Sequence, residues 1–497
     1  MSKKGCAKPF AGYLPWVHLT PHLQPFLPVR DYESGDNNRE MARKSLELGD
    51  PLPDGSADAL NEVPPDTAIL RIAWCDNANL IRAKSLCINA KSTPASEAFV
   101  SISEVMQALP VMYDIPAEET GLSHVGEVHL TADLSSIVPL PYAPGQSRAM
   151  GDMLKDGAPW ACCPRSFLKR MIARAKEMRL AVKGAFENEF YILKSVPGEV
   201  EPVDNTTFAS TYAMDISADV IEDIIKALTA QGITAEQYYP ESGPGQHEIT
   251  VRYASALQAC DQQIAFRETV RAVAQKHGLR ASFLPKIFPA KSGNGCHVHL
   301  SLWHDTTNIL SDEGDTYGLS NCARQFIAGI VSHLPALMAL TTPISNSYRR
   351  IQPSTWSGAF QCWGFNNKEA AVRVVVDRDQ AIRHFELKTV DASSNPYLAF
   401  GATIAAGLDG IERCLELSAP IQLDPSSLSP SEREELNISP LPSCASDALR
   451  ILESDDVILA ALGKELARAY VGVKKTELAT LESLTFEQEV ELLLDKY

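Results

Sequence analysis

His297 and His299 stand two residues apart in KSGNGCHVHLSLW, residues 291–303. On an extended segment, side chains two apart share a face, so both imidazoles are set to project into one place. The Gly-Asn-Gly turn ahead of them lets a ligand approach the backbone closely. Alone, the segment reads equally well as a loop followed by two structural histidines. Acids elsewhere decide between the two. Glu187 and Glu189 sit two apart in GAFENEFYIL, Glu241 and Glu248 flank the turn of ESGPGQHEI, and Glu386 lies in HFELK. A carboxylate in an apolar strand is costly to bury unless it is paired or metal-bound. Singly, each reads as an edge-strand acid facing solvent; five of them with an HxH on separate strands read as a set. Such a set, rich in carboxylate and poor in imidazole, favours Mg²⁺ or Mn²⁺ over zinc. Two such ions serve phosphoryl chemistry, where they neutralise nucleotide phosphates. Arginines are then needed for phosphate and substrate carboxylate, and NSYRRIQP offers Arg349 and Arg350, AAVRV Arg373. There is no Walker-type GxxxxGK[ST] motif, so a nucleotide must be held in another way.

The elements that must position these groups follow from hydrophobic period. AILRIAWCDNANLIRAKSL predicts strand, turn and strand, with Asp76, Arg82 and Lys84 around the turn, and GEVHLTADLSSIVPLPYAPG predicts further strands. These make a small β-rich domain over residues 67–155, preceded by an irregular extension, 1–66, with one helix near Asn38–Leu48. From Pro164 helices interleave with strands. RSFLKRMIARAKEMRL places Leu168, Met171, Ile172 and Ala175 on one side. AVKGAFENEFYIL, the pair around the Gly-Pro-Gly turn, SFLPKIF, the HxH segment, a pair around 360–376 and HFELKTV read as strands. ISADVIEDIIKALTAQG (closed by Gly232), DQQIAFRETVRAVAQKHG and CARQFIAGIVSHLPALMAL read as helices. Residues 156–497 are therefore an α+β or α/β catalytic domain.

Composition bounds the partners. The chain has 497 residues, 45% hydrophobic and 22% charged, with a formal net charge of −17 and no long basic run. That field argues against nucleic acid or an anionic membrane as the main partner. Eleven scattered cysteines without zinc spacing suit a reducing, cytoplasmic setting. The N-terminus lacks an apolar h-region, and no apolar run approaches membrane-spanning length.

In these residues the chain resembles the glutamine synthetase family. The matching segments are RIAWCDNANLIRAKS, DLSSIVPLPYAPGQSRAM with DGAPWACCPRSFLKR, GAFENEFYIL, ESGPGQHEI, GNGCHVHLSLW, NSYRRIQP and HFELKTVDASSNPYLAFGATIAAGLDGI, in order from about Leu70 to Tyr497. The resemblance implies an N-terminal β-grasp domain and a catalytic α+β domain whose antiparallel sheet forms an active-site funnel. It implies homo-oligomeric stacked rings, decamers or dodecamers, with sites between neighbouring subunits. It implies ATP and two to three Mg²⁺ or Mn²⁺ ions per site. Glu189, Glu241 and Glu248 match the ligands of one ion, and Glu187, His297 and Glu386 those of a second. His299 matches a phosphate contact, Gly293 falls in the loop holding the acid substrate, Arg350 matches a substrate-carboxylate arginine and Arg373 a phosphate-facing one. Glu189, Arg350 and Arg373 are thus the implied catalytic groups, with Lys388 among those facing the nucleotide. The implied reaction is ATP phosphorylation of a γ-carboxylate, followed by attack of an amine on the acyl phosphate.

Four positions depart from the family pattern. The flap glutamate that serves ammonium falls at Trp356, two arginines fall at Lys368 and Lys388, and an asparagine falls at Ser292. Tryptophan cannot accept a proton, although its face attracts a cation; lysine keeps charge but loses the planar two-point grip. Asp114 is the candidate for the ammonium-site acid of the small domain. The pattern resembles the branch joining glutamate to larger amines, γ-glutamylpolyamine and γ-glutamylamide synthetases. Lys388 also resembles the divergent domains of developmental-signal proteins. The alternatives are a true glutamine synthetase using ammonia and a non-catalytic ring-forming relative.

Overall fold

The computed structural model describes residues 63–88 and 98–497. The expected helix near Asn38–Leu48, and the extension as far as residue 62, lie outside them. The first sheet is built from β1 (Ile69–Cys75), β2 (Ile81–Cys87), β3 (Phe99–Ser103), β4 (Glu127–Pro139), β5 (Gln146–Lys155) and β6 (Ala158–Pro159), in the order β2-β1-β5-β4-β3 with β6 on β5. β1 runs parallel to β5 and antiparallel to β2, a mixed sheet of the β-grasp kind. Alternation buries both faces of β1. Leu70, Ile72 and Trp74 enter the small core, while Ala73 and Cys75 join the large one. The charged turn proves structural: Asp76 is fully buried, accepts from the N–H groups of Ala78 and Leu80, and pairs with Arg82 at 2.6 Å. Burial, against that arginine, pushes its carboxyl up to about 6.

The second sheet contains β7 (Ala181–Lys194), β8 (Ala235–Pro240), β9 (Gln246–Val251), β10 (Ala254–Ser255), β11 (Leu279–Ser282), β12 (Cys296–His304), β13 (Thr307–Asn308), β14 (Phe360–Phe365), β15 (Ala370–Val376), β16 (Ile382–Leu387) and β17 (Ser439–Pro440). Its order is β17-β14-β15-β16-β12-β7-β9-β8, antiparallel except for β14/β15. Helices Pro164–Glu177, Ala256–Lys276, Asn321–Thr341 and Pro396–Glu412 contribute to the core behind it. In β7 the period of two is explicit: Val182, Phe186 and Phe190 are buried in the core, which leaves Glu187 and Glu189 on the opposite face.

Two expectations change. SFLPKIF is not a strand beyond its first residue; β11 ends there, at Ser282, three residues ahead of Pro285, which cannot donate to a ladder. Asn321–Thr341 is, by length and composition, apolar enough to cross a membrane, yet 72% of that window is buried inside the protein. It is a core helix, apolar on most sides because protein surrounds it. Gly329 permits that packing, since a Cβ there would lie 2.1 Å from the carbonyl oxygen of Ala406.

Two ionic clusters tie the layers. Arg165, 3% exposed, reaches Asp133 of β4, Asp152 of β5 and Asp261 of helix Ala256–Lys276, each at 2.8 Å. The hydroxyl of Tyr397 donates to Asp261 as well. His333 lies between Asp455 at 2.6 Å and Asp409 at 3.0 Å, and Arg413 also pairs with Asp409. Burial opposes the imidazolium, but donation to Asp455 and Asp409 outweighs it and raises His333 above its ordinary 6.5. A raised imidazole contributes stability in full below its unfolded value and loses it as pH climbs through the folded one. The protein is therefore expected to be less stable to urea at pH 8.5 than at pH 6, with His333→Asn shrinking that difference. Identical pH slopes for the two proteins would remove His333 as the cause.

Candidate active site

Sheet register brings the acids together. His297 is opposite Glu187 across β12/β7, His299 opposite Glu386 across β12/β16, Glu189 opposite Glu248 across β7/β9, and Arg373 opposite Glu386 across β15/β16. Glu241 follows β8 and accepts from the Ser242 N–H at 2.8 Å. The face holds two electrostatically different halves. In the first, His297 Nδ1 lies 3.0 Å from both Glu187 and Glu386, His299 Nε2 3.2 Å from Glu187, Arg373 Nε 2.8 Å and Lys388 Nζ 3.2 Å from Glu386. Burial would raise Glu187, but hydrogen bonds from His297 and His299 hold it well below the carboxylate range. Glu386 is likewise buried, and the Lys388 ammonium with the two imidazoles drives it far down.

The second half is less compensated: His297 Nε2 stands 4.0 Å from Glu189, and Lys368 acts only weakly on Glu241. Burial pushes Glu248 up to about 9, the charges of Glu187 and Glu189 adding to it, even though Tyr239 donates to it at 2.6 Å. Burial and then Glu189 raise Glu241. Glu189 itself accepts from the Gly295 N–H at 3.0 Å and from Gln246 at 3.2 Å. Three neighbouring carboxylates with so little counter-charge are what a divalent cation relieves. In the first half, donor atoms of Glu187, His299 and Glu386 converge within 4.8 Å of one another. The donors are oxygen and imidazole nitrogen; the nearby Cys296 thiol is fully buried and turns to Asn188. That chemistry fits Mg²⁺ or Mn²⁺. Both imidazoles thus touch the acids.

Gly295 and Gly293 shape the floor. A Cβ at Gly295 would lie 2.5 Å from His297 Nε2, and one at Gly293 2.5 Å from the Pro285 carbonyl and 2.7 Å from Arg350. Arg350 is buried at the end of helix Ser345–Arg350, donates to the Val390 carbonyl at 3.0 Å, and keeps an unpartnered Nε. Arg349 turns away to Glu489 at 2.6 Å, as expected of neighbours on a helix of 3.6 residues per turn. Asp114 stays at the small sheet, 87% exposed, 3.8 Å from Arg82. The Ser292 carbonyl accepts from Tyr191 at 2.7 Å. Trp356 is 55% exposed at φ +58°, and Lys368 Nζ stands 4.5 Å above its ring.

One group escaped the sequence reading. Residues 297, 299, 301 and 303 share one face of β12, so the line of imidazoles continues to Ser301 and Trp303. The Trp303 indole donates to Ser301 at 2.8 Å, Tyr253 stacks on Trp303 at 6.0 Å, and Lys183 Nζ lies 3.8 Å from its ring centre. Extending the alternation by four residues was the signal that could have found it.

The chain is similar to known proteins over most of its length. Residues 161–493 match the family described as glutamine synthetase, catalytic domain. The type-1 glutamine synthetase 1 of Dictyostelium discoideum is 34% identical over 457 residues, 87% of this chain and 90% of that protein. The gamma-glutamylpolyamine synthetase GlnA3 of Streptomyces coelicolor is 35% identical over 83% of this chain and 90% of its own length. Among solved structures, a GmaS/ADP complex superposes with a TM-score of 0.75 at 30% identity, covering 87% of this chain and 97% of that one.

Proposed function

The chain belongs to the glutamine synthetase family of ATP-dependent ligases, and we propose that it joins the γ-carboxylate of glutamate, or a similar acid, to a primary amine other than ammonia. The observation that carries this reading is a filled acid–imidazole set beside an exposed Trp356 where the family has a carboxylate. Glu189, Glu241 and Glu248 would hold one divalent ion, and Glu187, His297 and Glu386 a second, with His299 beside them. When bound, such ions neutralise the nucleotide phosphates during phosphoryl transfer. Arg373 and Lys388 stand at the same acids and add fixed positive charge toward the transferring phosphoryl group. Arg350, braced on the Val390 carbonyl and facing Gly293, holds the carboxylate of the acid substrate. Trp303, with Lys183 over its ring and Tyr253 stacked against it, would offer the nucleotide aromatic surface and positive charge. The soluble partners are thus ATP, an acid and an amine, with ring assembly of several copies as the proposed quaternary form and the cytoplasm as the proposed compartment.

Trp356 gives an alkyl or aryl amine an apolar wall and gives ammonium no anionic partner. Phosphate release with ATP, Mg²⁺ or Mn²⁺, glutamate and a panel of amines tests this. Turnover with at least one alkyl or aryl amine is expected to exceed that with ammonium by about tenfold, the scale of one lost ionic contact. Trp356→Glu is expected to narrow that ratio. Ammonium matching every amine would instead make the protein a glutamine synthetase.

A further inference from the structure

We propose that Glu369 is the carboxylate that takes the proton from the incoming amine, an assignment that rests on the amine-ligase reading. An alkylamine arrives as its ammonium and must shed a proton before its nitrogen can attack. Trp356 has no group able to receive it, the seven clustered acids and imidazoles are those assigned above to ions and phosphate, and Asp114 stands beside Arg82 of the small sheet. Glu369 is the carboxylate held directly against that tryptophan: the Trp356 N–H donates to its Oε1 at 2.9 Å. It is the turn residue immediately before β15, the strand whose Arg373 touches Glu386. The Ala371 carbonyl accepts from the Lys388 N–H at 2.9 Å, which keeps the beginning of β15 beside the lysine of the site. Glu369 is half-buried, whereas Trp356 and Lys368 are exposed. Burial raises its carboxyl, opposed by the Trp356 and Ser354 N–H groups and by Lys388, and reinforced by Asp424; a base of raised affinity holds a proton more readily.

The step balances as follows. One ammonium proton passes to the Glu369 carboxylate, and the freed lone pair forms the C–N bond at the acyl carbon. The C–O bond to phosphate breaks, phosphate leaves with that electron pair, and it takes the second nitrogen proton. Glu369 then returns its proton to solvent.

Glu369→Gln separates proton acceptance from bracing, because the amide oxygen can still accept from the Trp356 N–H. The measurement compares two nucleophiles in the full-length protein: the alkylamine it uses best, and hydroxylamine, which is already neutral at pH 7. The variant is expected to lose about 100-fold in kcat/KM for the alkylamine and only about fivefold for hydroxylamine, as removal of a general base predicts. Equal losses with both would make Glu369 a brace for the Trp356 loop and overturn the assignment, as would no loss with either. Wild-type protein that forms neither amide nor hydroxamate would overturn the ligase reading itself, a failure seen without the variant.

Discussion

Glu386→Gln is expected to release phosphate about 1000-fold more slowly than wild type, the upper scale for deleting one electrostatic contributor to a transition state. Glu386 is fully buried and is the shared anion of Arg373, Lys388 and His297. Neutralising it takes the counter-charge from Arg373 and Lys388, leaves His297 with Glu187 as its one close partner, and removes an anionic donor from the set that converges within 4.8 Å. Its Oε2 has no well-aligned hydrogen bond although Arg373 Nε lies 2.8 Å away, an arrangement that leaves a lone pair free for another partner. Activity above about a tenth of wild type would sink the assignment, since a mere contact residue costs no more than that. Arg349→Ala is the matched control. It changes charge one residue from Arg350 but touches Glu489 and Phe486 instead, and is expected to stay near wild-type turnover.

Arg165→Met carries the largest expected effect on stability. Removing one partner of a buried ionic cluster costs about 3–5 kcal/mol, because the opposite charges remain uncompensated. Here three aspartates would lose their shared arginine, but Lys169 still pairs with Asp152 and Asp133, Tyr397 still donates to Asp261, and all three are 14–21% exposed, so the lower end, about 3 kcal/mol, is expected. Denaturant unfolding is the check: a lower midpoint with unchanged slope is expected. A midpoint within error of wild type would mean that Met packing and hydrated aspartates replace the clamp at no cost, as happens in some buried clusters.

Much of the site could be read from the chain because it is built from strands. Glu187 with Glu189, and His297 with His299, declare their shared face by a spacing of two, and the Gly-Pro-Gly turn declares that Glu241 and Glu248 converge. What sequence left open is set by longer or subtler geometry. Arg349 and Arg350 are adjacent, and only the helical turn of 100° between them separates a structural ion pair from the site. Arg165 reaches Asp261, 96 positions away, beyond the reach of any local pattern. SFLPKIF looked like a strand by apolar content, yet Pro285 turns it into the loop that backs Gly293. The pairing of Trp356 with Lys368 and Glu369 depends on a left-handed backbone at Trp356, a conformation that no propensity for tryptophan suggests.

That position of Trp356 also gives the protein an optical property. Of its six tryptophans, Trp74, Trp160 and Trp363 are buried, whereas Trp356 lies open to water directly beneath an ammonium. Its emission responds to water and to that charge, so together with Trp303, which also carries an ammonium over its ring, it reports without any added label on the loop that follows Arg350.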